Sequence, residues 1–324
     1  MPGRRVIGVD MGGTKLLGGV LDPELHVHHR VQRTVLGLGQ AHLLEVVVDA
    51  VGELREAAGE PVQAVGFGIP SLIDDRSGRS ALSVHLPLQD VPFADLMSER
   101  LDLPVFVDND GNLAALAEHR AGAARGAGHA VVLTIGTGIG GGLIIGGELY
   151  RGAIGAGAEL GHVVIDLDGP PCEGNCPNRG CVEALAAGPA LAREAARLAA
   201  ARPDSGLARA VAQGRELAGP LVSELAHDGD AAAIEALALI GTRLGVAIAA
   251  FVNIFIPEVV VVGGGVIGAG ELLLGPAREE MARRALAPSR DLVRVRAAHF
   301  GVEAGMIGAG ALALERATSG RASR

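Results

Sequence analysis

The sequence predicts an α/β protein, because short apolar runs typical of buried strands alternate with alanine-rich stretches typical of helices. Glycine is abundant, with 49 residues, whereas aromatic residues make up only 2% of the chain. Three apolar runs, 6–10, 131–135 and 259–262, each end in a glycine-rich turn. Since α/β folds bind ligands at the ends of their strands, these three turns are the first candidates for a binding site.

Length and charge narrow the class of protein. The 324 residues suffice for about two domains. The net charge of −9 argues against a nucleic-acid partner, which would require a basic face. No secretory signal is predicted, because Asp10 interrupts the N-terminal apolar run, and the apolar stretch 244–257 is short for a bilayer span. With three clustered cysteines and no export signal, we expect a cytoplasmic protein without a membrane partner.

The first part of the chain is predicted to start with a β-hairpin, because the apolar runs 6–10 and 16–21 flank a glycine turn. Leucine and valine residues at helical spacing predict a helix over 41–58. A buried strand over 62–69 should stop at Pro70, which opens a loop. The other elements predicted here are a helix over 93–100, a strand over 105–107 and a helix over 112–120.

The pattern of strand, glycine turn and strand returns at 131–145, which is a weak internal repeat. Two lobes built on one plan would account for it. We place a small lobe at 1–118 with 302–324, and a large lobe at 119–301. The elements predicted after the repeat are helical stretches over 188–213 and 230–250, a strand over 259–262, a helix after Gly270, a strand over 293–297 and a helix over 303–316. Pro203 and Pro220 mark breaks between helices.

All three cysteines of the chain, Cys172, Cys176 and Cys181, lie close together and follow His162. A disulfide would leave one thiol over, whereas one histidine and three thiolates complete a tetrahedral zinc shell. Glycine and proline residues between the cysteines let the segment fold back so that the sulfurs converge. Three unrelated buried cysteines are the alternative, but the chain has no cysteine elsewhere. We therefore predict a structural zinc site, because no ligand position is left for water.

The turn after the first strand has chemistry suited to phosphate. Asp10 at the strand end can hold Mg²⁺ through water, while Gly12, Gly13 and the Thr14 hydroxyl can approach phosphate oxygens. A second turn at 136–138 and a third at 263–265 follow apolar strands in the same way. Each turn alone is explained by the frequency of glycine and aspartate in ordinary turns. Three such turns at strand ends, however, indicate a site whose backbone N–H groups bind a phosphate chain.

Asn109 and Asp110 follow another predicted strand. An aspartate there can accept a proton from a hydroxyl that attacks a phosphoryl group, and an asparagine can hold the ring that carries the hydroxyl. The alternative is an Asx turn that caps the next helix, and the dipeptide alone favours it. Glu159 and Glu183 flank the cysteine segment, where a rigid loop would hold carboxylates for sugar hydroxyls, although loop glutamates are ordinarily only solvated. Together with the glycine turns, these residues favour catalysis over a simple cap.

These motifs together resemble the ROK family (repressors, open reading frames, kinases). The resemblance runs from about Val6 to about Gly310 and is carried by Asp10-Met-Gly-Gly-Thr14, Gly68-Ile-Pro70, Asn109-Asp110, Gly136-Thr-Gly-Ile-Gly140, and Glu159-x-Gly161-His162 with Gly169, the three cysteines and Glu183. It implies the actin-like ATPase (ribonuclease H-like) fold, with two α/β lobes and a cleft for ATP and sugar between them. It also implies an ATP-dependent hexokinase, with glucose as the first candidate substrate.

The resemblance further implies a role for each candidate residue. Asp110 would be the general base, and the sugar would be held by Gly68, Asn109, Asp110, Glu159, His162 and Glu183. The phosphates of ATP and its Mg²⁺ would lie against Asp10, Gly12, Gly13, Thr14, Lys15, Thr134, Gly136, Thr137 and Gly138, and the adenosine would be bordered by Gly263, Gly264, Gly265 and Val266. Structural Zn²⁺ would be bound by His162, Cys172, Cys176 and Cys181. The resemblance also implies a homodimer or homotetramer.

Three positions depart from the family pattern. One residue usually separates the first two cysteines, but here Glu173, Gly174 and Asn175 lie between them. Ser71 stands where glycine is common, and the asparagine common before Leu-Pro is missing at 83–87. Fructokinase, mannokinase and N-acetylhexosamine kinase therefore stay open beside glucokinase, and polyphosphate stays open as a phosphoryl donor.

A sugar-sensing regulator is the alternative outside the enzymes. Repressors of the ROK family carry a DNA-binding segment before the kinase-like domain, whereas the first predicted strand here begins by Val6. This difference, the acidic net charge and the presence of Asp110 favour a kinase.

Overall fold

The computed structural model describes residues 4–74, 76–83, 86–174 and 176–318. Val84, His85 and Asn175, which belong to the departures from the family pattern, lie outside the described residues, as does most of the polar tail from Thr318 onward. Over the described ranges the chain forms an α/β structure, as predicted.

The described residues form twelve strands, most of them close to the predicted bounds. In chain order they are β1 (Arg5–Met11), β2 (Lys15–Leu21), β3 (Val27–Thr34), β4 (Val62–Ile69), β5 (Ser71–Asp74), β6 (Arg79–Ser83), β7 (Val105–Asn109), β8 (His129–Ile135), β9 (Ile139–Ile145), β10 (Glu148–Tyr150), β11 (Val259–Gly263) and β12 (Arg294–Ala297).

The described residues form eleven α-helices, most of which lie in stretches predicted to be helical. They are α1 (Gln40–Ala57), α2 (Phe93–Leu101), α3 (Asp110–Ala121), α4 (Val182–Ala186), α5 (Gly188–Ala201), α6 (Gly206–Ala212), α7 (Gly219–His227), α8 (Ala231–Phe255), α9 (Glu271–Arg284), α10 (Ser289–Leu292) and α11 (Ala304–Thr318).

The first five-stranded sheet has the strand order β3-β2-β1-β4-β7. β1 and β2 form the predicted antiparallel hairpin, and β1, β4 and β7 run parallel. The register places Asp10 beside Gly68, and Gly68 beside Asp108. The carboxyl ends of these three strands therefore lie at one edge of the sheet, and that edge carries the candidate residues of the N-terminal part.

The second five-stranded sheet has the order β10-β9-β8-β11-β12. Its strands β8, β11 and β12 are parallel, with Gly263 of β11 in register with Thr134 of β8. The second and third glycine turns therefore follow neighbouring strands at the same edge of this sheet.

Small residues allow α11 to lie directly on the first sheet. A Cβ atom at Gly8 or Gly66 would clash with the backbone of α11, and one at Gly308 would clash with the backbone of α3 at Leu113. On the other side, Leu43 and Val47 of α1 join the apolar core that contains Phe67. The strand edge is thus held between packed helices, which fixes the residues at the strand ends.

Some predicted elements were wrong in detail. The segment after Pro70 is not only a loop, because β5 and β6 form a two-stranded antiparallel sheet there. By contrast, the break predicted at Pro203 is present, because α5 ends at Ala201 and α6 begins at Gly206. β3, β10, α4, α7 and α10 were missed, and α8 continues past the predicted end at residue 250 to Phe255.

Contacts between Cα atoms group the chain into two compact units. The first unit comprises 1–126, 142–158 and 302–324, and the second comprises 127–141 and 159–301. A grouping by contacts is not a division into functional lobes, so the lobe boundaries given by the sequence stay a prediction.

One helix within the described residues, α8, is long and apolar enough to cross a membrane by length and composition alone. More than half of its most apolar stretch, 56%, is buried inside the protein. This burial is typical of a core helix, and α8 contributes Leu244, Ile248 and Phe251 to the interior of the second unit.

Candidate functional site

Asp10 is the next-to-last residue of β1 and lies at a sheet edge where several backbones come close. Its carboxylate lies against Gly305, the second residue of α11, where an added Cβ would lie 2.6 Å from Asp10 Cγ. An added Cβ at Gly68 would lie 3.4 Å from Asp10 Oδ1 and 3.7 Å from the Cα atom of Asp110. Asp10, Gly68 and Asp110 are therefore neighbours in the first unit, and the glycines leave room between them.

The environment of Asp10 disfavours its negative charge. Burial raises the pKa of Asp10 to about 7, the nearby Asp110 carboxylate adds to the rise, and Lys15 opposes it. A carboxylate in this position would be stabilised by a cation, since a cation favours the ionised form. Asp10 is thus suited to hold a metal ion at the strand end.

The first glycine turn is closed by backbone hydrogen bonds. The Gly12 N–H donates to the Lys15 carbonyl oxygen at 2.9 Å, and the Val35 N–H donates to the Thr14 carbonyl oxygen at 3.0 Å. Thr14 and Lys15 are exposed. The predicted phosphate turn is therefore an ordered hairpin end that presents Thr14 and Lys15 to solvent.

Asn109 caps helix α3. Its side-chain oxygen accepts hydrogen bonds from the N–H groups of Gly111 at 2.9 Å and Asn112 at 3.3 Å, and its Nδ2 donates to the Ser71 carbonyl oxygen at 3.3 Å. The cap considered as the alternative in the sequence is therefore present. A sugar contact by Asn109 stays a prediction.

Asp110 is the first residue of α3, where the helix dipole favours a negative charge. Its Oδ1 accepts a hydrogen bond from the Gly111 N–H at 3.0 Å. Strand β7 brings Asp110 to the edge of the sheet, next to Gly68 and near Asp10. Two carboxylates and a helix N-terminus thus occupy one corner of the first unit.

One residue of this corner was missed in the sequence. Arg151, which follows β10, forms an ion pair of 2.7 Å between its Nε and Oδ2 of Asp108, and Asp108 is only 2% exposed. An arginine in a glycine-rich loop gives no local signal of its partner. The pair becomes visible only when the fold places β10 near the start of α3.

The four predicted metal ligands come together in the second unit. The ligand atoms of His162, Cys172, Cys176 and Cys181 all lie within 4.8 Å of one another. Cys172 Sγ is 3.6 Å from His162 Nδ1, and Cys176 Sγ is 3.8 Å from Cys181 Sγ. The longer segment between Cys172 and Cys176 therefore does not separate the sulfurs.

The donor set fits a zinc ion. Burial raises the pKa of the Cys172 and Cys181 thiols, and the neighbouring thiols raise the pKa of Cys172 further. A thiolate cluster of this kind needs a cation, and three cysteines with one histidine make a closed tetrahedral shell typical of structural zinc. Gly180 has a φ of 63°, and a Cβ there would clash with the Asp166 carbonyl oxygen, so the turn before Cys181 requires glycine.

The two ring nitrogens of His162 face different groups. Nδ1 faces the Cys172 sulfur, while Nε2 lies 3.9 Å from Oε2 of Glu159. A metal bound at Nδ1 would fix the tautomer and leave Nε2 as a hydrogen-bond donor. The geometry therefore allows His162 to bind a metal and a second group at once.

Glu183 connects the cysteine segment to the second glycine turn. Its Oε2 accepts a hydrogen bond from the Ile139 N–H at 2.8 Å, and its Oε1 lies 3.6 Å from Cys172 Sγ. A Cβ atom at Gly138 would lie 2.5 Å from Glu183 Oε2, and one at Gly161 would clash with the Ile139 carbonyl oxygen. The cysteine segment is thus packed directly on this turn, which the sequence did not predict.

The third glycine turn lies beside the second. Gly264 has a φ of 87°, and a Cβ there would clash with the backbone of Ile135 at the end of β8. Gly263 pairs with Thr134 in the sheet. The structure therefore brings together the second turn, the third turn and the cysteine segment in the second unit, and Asp10, Gly68 and Asp110 in the first.

Comparison with known proteins agrees with these features. The model of the ROK family matches residues 6–316. A glucokinase of Thermotoga maritima is 36% identical over 319 residues, which cover 98% of this chain and 99% of that protein. A putative xylose repressor of a Caldicellulosiruptor species is 32% identical over 302 residues, which cover 90% of this chain and 73% of that protein.

A solved structure shows the same fold. A ROK family glucokinase from Streptomyces griseus, in complex with glucose and AMPPNP, is 35% identical with a TM-score of 0.86, covering 96% of this chain and 99% of that chain. The predicted actin-like α/β fold is confirmed by this likeness. Because the family model and these similarities span almost the whole sequence, the chain belongs to the ROK family.

Proposed function

We propose that this chain is an ATP-dependent hexokinase that transfers the γ-phosphoryl group of ATP to the 6-hydroxyl of glucose. The observation that carries the proposal is the position of Asp110, which begins α3 at the strand edge that also carries Asp10. Similarity to glucokinases over nearly the whole chain supports glucose as the acceptor and ATP as the donor.

Asp110 orients the attacking hydroxyl and accepts its proton. Phosphoryl transfer requires mainly alignment and charge neutralisation, so a fixed carboxylate at a helix N-terminus is suited to it. The other sugar hydroxyls are bound by Asn109, Glu159, His162 and Glu183, with Gly68 leaving room for the ring. Nε2 of His162 would donate to a sugar hydroxyl, and a metal bound by His162 would fix the orientation of its ring.

The glycine turns bind the nucleotide. Residues 10–15 and 134–138 contact the phosphates, and 263–266 border the adenosine. Mg²⁺ bound with the nucleotide supplies charge neutralisation, and Asp10, whose pKa lies near 7, is the residue that would hold it. His162, Cys172, Cys176 and Cys181 hold a structural Zn²⁺. We also propose that the protein acts in the cytoplasm as a homodimer or homotetramer.

A coupled assay for ADP release tests the proposal. Glucose, fructose, mannose and N-acetylhexosamines are compared by kcat/KM, with ATP and polyphosphate as alternative donors. We expect glucose with ATP to give the highest value. A higher kcat/KM for another hexose would mean that the protein is a hexose kinase whose preferred substrate is that sugar and not glucose.

Replacing the general base gives the sharpest result. Asp110→Asn should lower kcat by about 10²–10⁴-fold, because the amide cannot accept the proton. Glucose binding measured by calorimetry should remain, since Asn keeps the size and most hydrogen bonds of Asp. The exposed Asp95→Asn on α2 is the matched control and should keep full activity. Hexose phosphorylation by Asp110→Asn at the wild-type rate would refute the assignment.

A sugar-responsive regulator without catalysis is the second candidate, favoured by the similarity to the putative xylose repressor. Such a protein would bind a sugar by calorimetry yet release no ADP in the presence of that sugar and ATP. ADP release coupled to sugar excludes it.

A further inference from the structure

We propose that Arg151 is a positioning residue for Asp110, acting through the buried carboxylate of Asp108. This inference rests on the proposed function for its kinetic consequences, while its structural part stands on contacts within the first unit. Asp108 is 2% exposed, and the Arg151 Nε lies 2.7 Å from its Oδ2.

Both oxygens of the Asp108 carboxylate hold neighbouring groups. Oδ2 pairs with Arg151, while Oδ1 accepts hydrogen bonds from the Asn109 N–H at 2.8 Å and from Asn112 Nδ2 at 2.9 Å. Asn109 is the N-cap of α3 and Asn112 lies in its first turn. The carboxylate therefore joins the end of β7 to the start of the helix that Asp110 begins.

Arg151 provides the charge that makes this buried carboxylate stable. An ionised carboxylate removed from water is strongly destabilised unless a cation pairs with it and hydrogen bonds satisfy its oxygens. Removing one partner of such a pair leaves an uncompensated charge, which costs more than the pair itself contributes. Without Arg151, the buried Asp108 carboxylate would lose its paired charge and move toward water, and this movement would disturb the start of α3.

The guanidinium is itself held by an ordered loop. Arg151 follows β10, and its carbonyl oxygen accepts a hydrogen bond from the Gly157 N–H at 2.9 Å, which closes the loop 151–157. Gly152 and Gly155 adopt φ angles of 71° and 85°, which glycine permits. Arg151 therefore approaches Asp108 from a fixed backbone, as a positioning residue requires.

Alignment is the main contribution of an enzyme to phosphoryl transfer, so a displaced Asp110 should slow the chemical step more than it weakens binding. A group placed about 1 Å away from its productive position can cost about 100-fold in rate. We therefore expect Arg151→Met to lower kcat by about 100-fold and to change the KM for glucose by less than about threefold. Arg151→Lys keeps the charge but lacks the planar guanidinium. Its kcat should therefore lie between that of the wild type and that of Arg151→Met.

A double variant separates positioning from simple loss of packing. In Asp108→Asn/Arg151→Met the buried charge is gone, and the amide oxygen can still accept from Asn109 and Asn112. We expect this variant to recover at least about tenfold of the kcat lost in Arg151→Met. Arg215→Met is the matched control, because Arg215 forms an exposed ion pair of 3.6 Å with Glu224 and should leave kcat unchanged.

Hydrogen exchange measures the structural part without turnover. The amides of Asn109 and Asn112 should exchange faster in Arg151→Met than in the wild type, and the double variant should restore their protection. A kcat of Arg151→Met within twofold of wild type, or a folded double variant no faster than the single one, would overturn the inference. If the wild type phosphorylated no hexose, the proposed function would fail, and exchange alone would decide whether Arg151 holds the start of α3.

Discussion

At the scale of single residues, glycine is required wherever the cysteine segment meets the second glycine turn. Gly161 lies against the Ile139 carbonyl oxygen so closely that a Cβ would clash with backbone, which cannot move as a flexible side chain can. Gly161→Ala should therefore lower the free energy of unfolding by about 1–3 kcal/mol, because the segment must shift off the turn. Urea unfolding measures this change.

A glycine in open space provides the comparison. Gly52 lies on the exposed face of α1 with nothing within 4 Å of an added Cβ, so Gly52→Ala should stabilise the protein by about 0.5–1 kcal/mol. If Gly161→Ala had the same free energy of unfolding as Gly52→Ala, the cysteine segment would not pack closely on Ile139.

Residue types predicted the cluster of candidate metal ligands but not the contacts around Asp110. A zinc site of this kind requires only that three cysteines and one histidine converge. Because the chain has no cysteine elsewhere, this convergence could be predicted from the sequence. The pair of Asp108 with Arg151 and the bond from Ile139 to Glu183 join residues distant in sequence. Such contacts depend on how the strands are arranged, and no local pattern encodes that arrangement.

At the scale of elements, apolar strands were predictable and the polar edge strand was not. β4 and β11 are nearly all buried, so apart from Gln63 of β4 neither contains a polar residue. β3 lies at the edge of the first sheet, and its sequence VHHRVQRT buries only Val31 fully. Because this edge strand has so few apolar residues on its buried face, its sequence shows neither an apolar run nor a clear alternation of apolar and polar residues. A strand was therefore not predicted there.

The turn between β2 and β3 depends on one carboxylate. Asp22 Oδ1 accepts hydrogen bonds from the N–H groups of Glu24 and His26, and Oδ2 lies 2.7 Å from Nε2 of His28. Burial alone would raise the pKa of Asp22, but the hydrogen bonds from His28 and the His26 amide outweigh it and hold the pKa below its usual range. The ionised form is therefore favoured in the folded protein.

This shift gives the charge of Asp22 a defined pH dependence. Because the folded pKa is depressed, the stabilisation is complete above the unfolded pKa of about 3.9 and is lost as pH falls through the folded value. Asp22→Asn keeps the acceptor for the two N–H groups and removes the charge, so it should cost about 0.5–1 kcal/mol at pH 6. The difference from wild type, measured by urea unfolding, should shrink below about pH 4. A difference that grew on acidification would contradict the assignment.

At the scale of the whole molecule, the two compact units should respond differently to loss of zinc. The four candidate zinc ligands, the second glycine turn and Glu183 all belong to the second unit, whereas Asp10 and Asp110 belong to the first. Structural zinc contributes its binding free energy to folding, so its removal loosens the segment that its ligands hold. The loss of local stability should therefore be confined to the cysteine segment and the residues packed on it.

Chelation tests this expectation. Removing zinc should lower Tm by at least about 5 °C and raise the KM for glucose by about tenfold, because His162 loses the bond that fixes its ring. Hydrogen exchange should quicken over 159–186 and at Ile139, while β1, β4 and β7 keep their protection. Adding back Zn²⁺, but not Mg²⁺, should restore all three measurements. Normal glucose kinetics at a lower Tm would mean that the metal only stabilises the fold. An unchanged Tm would mean that the cluster binds no zinc, because a closed shell of three thiolates and one imidazole cannot lose its metal without a loss of stability.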